Sequence, residues 1–289
     1  MANLKQLVSA KAENDSKWRD QQIAERENAV AMQDTGITLI TTDPEVYARY
    51  LEMQGDNPSY SAGNIALVMM GLPQASIIGT QDRWKSLNRS IVPEERGKGV
   101  KIFAKSGMGR GYTLADAYDV TQTQGRDLKR PALQNGTKDM ETAISTVLNY
   151  AVVPVVIDES LPTAAYYDQA NMEIAINPDY PDNEALAAIT AEVAHSRFHA
   201  KGANPGYDRA ECDLDAQSVS YILCRRFGVE RPQPDASRVP DLYGNWDVED
   251  RKQALDSIQD MSKQMGRSID RNIDKDRQRS RAPVHRPAR

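Results

Sequence analysis

Apolar residues recur at helical spacing along most of the chain, and two stretches break that rhythm with strand-like pattern. Val46, Tyr47, Tyr50 and Leu51 share one face of a helix predicted over 44–54, with Asp43 placed to cap it. Gly55-Asp56-Asn57-Pro58 reads as a turn, and a second helix follows over 60–70 with Ile65, Leu67, Val68 and Met69 inward. Before them, residues 1–35 carry only a patchy stripe of Leu4, Leu7, Ile23, Val30 and Met32. That pattern predicts a loosely attached helix of low stability, ended by Gly36. From 75 to 106 the period changes. Ser76-Ile77-Ile78-Gly79, Arg89-Ser90-Ile91-Val92 and Val100-Lys101-Ile102-Phe103 read as short strands, and 117–121 as another.

The second half opens with a polar linker over 126–137, containing Pro131, Asn135 and Gly136. A helix over 137–150 presents Ile144, Val147 and Leu148 on one side; 152–157 is a buried strand by composition, and 173–177 alternates like an edge strand. Helices are predicted over 183–200, over 213–227 with Gly228 closing it, and over 250–267. The residues from Arg277 onward hold five arginines, two prolines and no acid, and are expected to be disordered. Helices and small sheets in separate runs make the class α+β.

With 40% hydrophobic and 27% charged residues in 289, a sizeable core can be buried. The polar start resembles no signal peptide, and no apolar run is long enough for a membrane span. Cys212 and Cys224 are too few for a disulfide framework and read as small buried residues of a cytoplasmic protein. The net charge of −5 argues against a wholly electrostatic nucleic-acid binder, but its distribution is uneven. Between Arg83 and Arg110 lie eight basic residues (Arg83, Lys85, Arg89, Arg96, Lys98, Lys101, Lys105, Arg110) against Glu94 and Glu95. Trp84, Phe103 and Tyr112 interleave with them, which suits a single strand stacked on aromatic faces beside cations. The same pattern also fits the solvated face of a sheet, with Trp84 in the core. The glycine-rich turns at 96–99 and 107–111 lack the spacing of a phosphate-binding loop, so nucleotide hydrolysis is not expected.

A second constellation lies in Thr190-Ala191-Glu192-Val193-Ala194-His195-Ser196-Arg197-Phe198-His199. A zincin helix reads H-E-x-x-H: two histidines one turn apart hold zinc, and the glutamate serves as base to its water. Glu192 and His195 match, but Ala191 occupies the first ligand position, and a methyl group binds no metal. His195 and His199 retain a metal-compatible spacing for a rebuilt site, with Asp213 as a third ligand. Otherwise His195 is a remnant hydrogen-bonded to Asp213 or Asp215, and His199 a histidine on the surface or beside the site. His285 carries no signal.

Several short elements together resemble the ArdC/LtrC-like antirestriction family. They are Tyr60-Ser61-x-x-Asn64, Pro73-x-Ala75, Trp84-Lys85, Asn88-Arg89-x-Ile91-Val92, the turn Arg96-Gly97-Lys98-Gly99-Val100-Lys101-Ile102, and residues 118–125. Downstream, residues 213–221 with Cys224-x-x-Phe227-Gly228, and Leu242-Tyr243-x-x-Trp246, extend the resemblance to about 45–270. In the family the 213–221 helix supplies an acidic ligand; here Asp213 and Asp215 match, while Gln217 replaces the third acid. The resemblance implies an N-terminal small mixed α/β domain binding single-stranded DNA, then a zincin-like α+β metallopeptidase domain with a degenerate motif. The expected boundaries are a polar helical segment at 1–35, the DNA-binding domain at 36–125, the linker at 126–137, the zincin-like domain at 138–270 and a basic tail at 271–289. Candidate DNA-binding residues are Tyr60, Asn64, Trp84, Lys85, Arg89, Arg96, Lys98 and Lys101; Glu192 is a vestigial catalytic residue, and His195, His199 and Asp213 would hold zinc only if a site survives. The implied partners are single-stranded DNA and a host restriction or other protein, in service of a plasmid, transposon or phage, with no membrane and no required cofactor. The alternatives are an active zinc metallopeptidase with a rearranged site and a structural DNA-associated component of a mobile element.

Overall fold

A computed structural model describes residues 3–106, 109, 111–200 and 204–281. Helices α1 (Leu4–Ile40), α2 (Pro44–Asp56) and α3 (Ala62–Gly71) come first. There follow β1 (Ile78–Thr80), α4 (Gln81–Ser86), β2 (Arg89–Ile91), β3 (Val100–Lys105), β4 (Tyr112–Asp119) and β5 (Thr123–Gly125). The second half runs α5 (Lys138–Leu148), β6 (Val155–Ile157), β7 (Ala165–Asp168), β8 (Glu173–Ile176), α6 (Asp182–Ala200), α7 (Arg209–Arg226), α8 (Val239–Tyr243) and α9 (Val248–Arg281). The class is α+β, and no described helix is long and apolar enough to cross a membrane.

Packing divides the chain into two units, Met1–Leu39 with Gly63–Arg126, and Ile40–Ala62 with Asp127–Arg289. The expected DNA-binding span of 36–125 is therefore not one packed body, because 40–62 belongs with the second unit. The reason is the buried face of α2, whose Tyr47 hydroxyl meets Ser218 Oγ of α7 at 2.9 Å and whose ring stacks 6.4 Å from Tyr243. The start of α2 matches its sequence: Asp43 accepts from the N–H groups of Glu45 and Val46, and Pro44 takes the first turn.

In the first unit an antiparallel sheet runs β1-β4-β3, and β2 pairs with β5. α1 passes straight through Gly36, contrary to the stop expected there. Packing is the cause: a Cβ at Gly36 would stand 3.0 Å from the Ala66 carbonyl oxygen and 3.1 Å from the Ala66 and Met70 side chains. Glycine lets α1 and α3 approach, and this outweighs its poor helix propensity of about 1 kcal/mol. Gly36→Leu is expected to lower stability by about 1–2 kcal/mol through overpacking, read as a reduced urea midpoint. An unchanged midpoint would show that α3 moves away freely.

In the second unit α5, α6, α7 and α9 pack together, and a sheet ordered β6-β8-β7 lies against α6. β8 is central rather than at an edge, pairing parallel to β6 and antiparallel to β7. β6 is an edge strand rather than a buried one, with Val155 42% and Ile157 75% exposed. α7 is capped by Asp208 and closes on Gly228 at φ 63°, the left-handed position expected of a C-terminal glycine. α9 runs through 277–281, where the composition predicts disorder; 282–289, including His285, lie outside the described residues.

Candidate functional site

The cations of the first unit stand on different local backgrounds. Along β3, Lys101, Phe103 and Lys105 alternate with buried Val100 and Ile102, and so share the outward face. Pairing sets Asp116, Leu114 and Tyr112 of β4 directly opposite them. Tyr112 is 56% exposed, and the Arg26 guanidinium of α1 lies 5.4 Å from the Phe103 ring centre while donating to the Tyr112 carbonyl at 3.1 Å. Lys101 is tied to Asp116 at 3.0 Å, whereas Lys105 projects beside Tyr112. Among the described residues of β3 and β4, Phe103, Tyr112, Lys101 and Lys105 thus share one face with Asp116, and Arg26 of α1 reaches it. Arg110 lies outside the described residues.

Other residues singled out in the sequence hold the scaffold. Trp84 is fully buried, and its indole N–H donates to the Tyr118 carbonyl at 3.1 Å, so it presents no face to a base. The Asn64 side chain donates to the Phe103 carbonyl and accepts from the Phe103 N–H, each at 2.9 Å, closing the outer edge of β3. Arg89 donates to Thr123 Oγ1 at 2.8 Å, to the Thr123 carbonyl at 2.9 Å and to the Arg126 carbonyl at 2.7 Å, pinning β5 to β2. Tyr60 belongs to the second unit, where its carbonyl accepts from Gln54. Lys85 and Arg96 are exposed, and Lys98 is exposed but paired with Glu95 at 3.0 Å. The Gln122 amide and Lys98 hold the Glu95 carboxyl below its ordinary range. Residues 118–125 run from the end of β4 through one 3-10 turn into β5, and Asp119 accepts from the N–H groups of Ser76 and Thr121.

The second unit brings Glu192, His195, His199 and Asp213 into one neighbourhood, each in hydrogen bonds with side chains or backbone around it. Both Glu192 oxygens take the fork of Arg209, at 2.8 and 2.9 Å, and one also accepts the Tyr167 N–H at 2.8 Å. His195 has no exposed surface. Its Nε2 lies 3.2 Å from Asp213 Oδ1, and its Nδ1 lies 2.9 Å from the Tyr207 hydroxyl. The hydrogen bond from His195 holds the Asp213 carboxyl below its ordinary value, so Asp213 only accepts. Both ring nitrogens of His195 thus have hydrogen-bond partners within the protein. His199 does not join His195: its Nδ1 meets the Tyr167 hydroxyl at 2.7 Å, and its ring stacks on Tyr207 at 4.7 Å.

At the other replaced position, Gln217 donates to Asp213 at 3.4 Å and accepts from Arg231 at 2.9 Å. The second matched acid, Asp215, turns away to accept from Tyr243, and desolvation pushes its carboxyl up to about 6. Ala191 faces the interior with no donor, and among the described residues no three His, Cys, Asp or Glu side chains lie close enough to hold a metal. Of the three candidate ligands, His195 and Asp213 meet each other, while His199 turns to the Tyr167 hydroxyl. Sequence reading missed Arg209, Tyr207, Tyr167 and Arg231. Arg209 meets Glu192 from 17 positions away on another helix, and no periodicity signals such a pair.

No protein-family model matches the chain, and no curated protein sequence matches it. Among solved structures, the fold is similar to that of the antirestriction protein ArdC from plasmid R388. The metal-free form has 13% identity and a TM-score of 0.49, covering 84% of this chain and 98% of that one. The Mn(II)-bound form has 14% identity and a TM-score of 0.48, covering 84% and 97%.

Proposed function

We propose that this chain is a single-stranded DNA-binding protein of a mobile genetic element with an antirestriction-type role, and that its zincin-like second unit is catalytically silent. The observation that carries the DNA-binding part is the outward face of β3 and β4, where Tyr112 and Phe103 lie among Lys101, Lys105 and Arg26. Rings beside cations bind an unpaired strand with little sequence preference, because every base has a face to stack and every phosphate a charge to neutralise. Exposed Lys85, Arg96 and Lys98 extend the cationic surface of the same unit. The silent second unit is supported by Glu192, whose carboxylate is consumed by Arg209, and by His195, whose ring nitrogens are both in use. A carboxylate that already accepts three hydrogen bonds, two of them from a guanidinium, is a poor base toward water. The ordered motifs from Tyr60 to Gly125 supply the antirestriction reading.

Fluorescence anisotropy with oligo-dT and with a duplex, over a salt series, tests the binding. The single strand is expected to bind tighter, with affinity falling steeply with salt. Tyr112→Ala is expected to weaken binding about tenfold or more, the loss of one stacked base. Lys105→Glu should also weaken it and make the salt dependence shallower by about one unit of slope or more. Weak binding that ignores salt, or two folded variants with unchanged affinity, would remove this reading.

A further inference from the structure

We infer that Arg209 is a resident cation standing in for a metal ion: its guanidinium holds the Glu192 carboxylate and the strand edge of the α6–α7 centre and closes that centre to metal. The inference rests on reading α6 as a degenerate metallopeptidase helix. In an intact helix of that kind, the glutamate beside the first histidine faces the ion-bound water. Here the corresponding Glu192 is 5% exposed and meets the Arg209 fork with both oxygens, at 2.8 and 2.9 Å. A guanidinium suits this place because its charge is permanent and its donors are fixed in a plane that matches a carboxylate.

Arg209 does more than pair with one acid. It donates to the Tyr167 carbonyl at 3.4 Å, while the Tyr167 N–H donates to Glu192 at 2.8 Å. Tyr167 lies on β7, an edge strand of its sheet, so the Arg209–Glu192 pair occupies the groups with which an added peptide strand would bond there. The positive charge of Arg209 also acts on Asp213, adding to the pull of His195 on that carboxyl. The guanidinium lies 4.7 Å from the Tyr166 ring centre, and its backbone is the first residue of α7 after the Asp208 cap. An arriving cation would find its carboxylate taken and a like charge already present. Restoring the ligands at 191 and 217 is therefore insufficient while Arg209 remains.

The test uses the full chain and direct zinc analysis after gel filtration. Ala191→His with Gln217→Glu is expected to retain no zinc, and adding Arg209→Ala to that pair is expected to bring retention near one zinc per chain. Zinc held with Arg209 in place would overturn the inference while leaving the degenerate-peptidase reading intact. A folded triple variant without zinc would overturn that reading as well. A second readout keeps the question open to refutation if those variants fold poorly. Arg209→Met alone should lower the thermal midpoint by about 5–10 °C, since it strands a buried carboxylate, and adding Glu192→Gln should recover part of the loss. An unchanged midpoint for Arg209→Met, or no recovery, would show that the pair is not what holds the centre.

Discussion

Replacing Trp84 with alanine is expected to destabilise the first unit by about 3–5 kcal/mol, and to abolish DNA binding by loss of fold rather than of a stacked base. The indole has no exposed surface and is the largest fully buried side chain among the described residues. Its N–H donates to the Tyr118 carbonyl at 3.1 Å, so truncation leaves a cavity and removes that hydrogen bond. A Cβ on Gly79 would come within 3.0 Å of the ring, so the strand before it is already in close contact, and the Arg89 guanidinium lies 6.0 Å from the ring centre. Trp84→Phe, which keeps most of the volume, should retain most of the stability and all of the DNA affinity. The two roles separate in a chain carrying Trp18→Phe and Trp246→Phe, where Trp84 is the remaining fluorophore. Oligo-dT should leave its emission nearly unchanged. Strong quenching, or a Trp84→Phe protein of normal stability that no longer binds, would return this tryptophan to the interface.

Trp84 also marks where sequence reading reaches its end. Its neighbours Lys85 and Arg89 are cationic, and nothing in that spacing distinguishes a ring lying on a basic surface from one buried beneath it. Long periodic segments were legible, because a helix such as α5 or α9 repeats its apolar face over several turns. Short strands were not: Val155, Val156 and Ile157 are apolar, but whether a strand is central or at an edge depends on what lies beside it. β7 went unrecognised for the same reason, and with it the Tyr167 N–H that Glu192 accepts. At the α6–α7 centre, the missing ligand at Ala191 was legible as a departure from a motif. The residue that answers it was not, because Arg209 acts through space from another helix. Gly36 reversed the usual inference, since close approach of α1 and α3 outweighs what glycine costs a helix.

Asp215→Asn is expected to stabilise the protein by about 2 kcal/mol at pH 7–8 and to flatten its stability profile between pH 4 and 6. Desolvation beside the buried Tyr47 and Tyr243 raises the Asp215 carboxyl from 3.8 to about 6, against which the hydrogen bond from Tyr243 works only in part. In that interval the folded protein holds a proton that the unfolded chain has released. Stability therefore falls as pH rises from about 4 to about 6, and the penalty stays constant above it. The full interval corresponds to at most about 3 kcal/mol, and the residual exposure of Asp215 reduces the expectation to about 2. Asp213 acts in the opposite sense and elsewhere on the scale. Its carboxyl is lowered by His195, so its contribution is present above the ordinary carboxylate range and is lost only as pH falls below it. Asp256, raised by burial, adds a smaller slope of the same sign as Asp215 and remains in the variant. The comparison is thus between two urea-unfolding series at pH 4.5, 6 and 7.5, one for each protein. The asparagine keeps an oxygen to accept from Tyr243, so the difference between the curves reports the charge. Curves that run parallel across the range would mean that Asp215 ionises in the folded protein as easily as in water, and that water reaches the Tyr47–Tyr243 cluster.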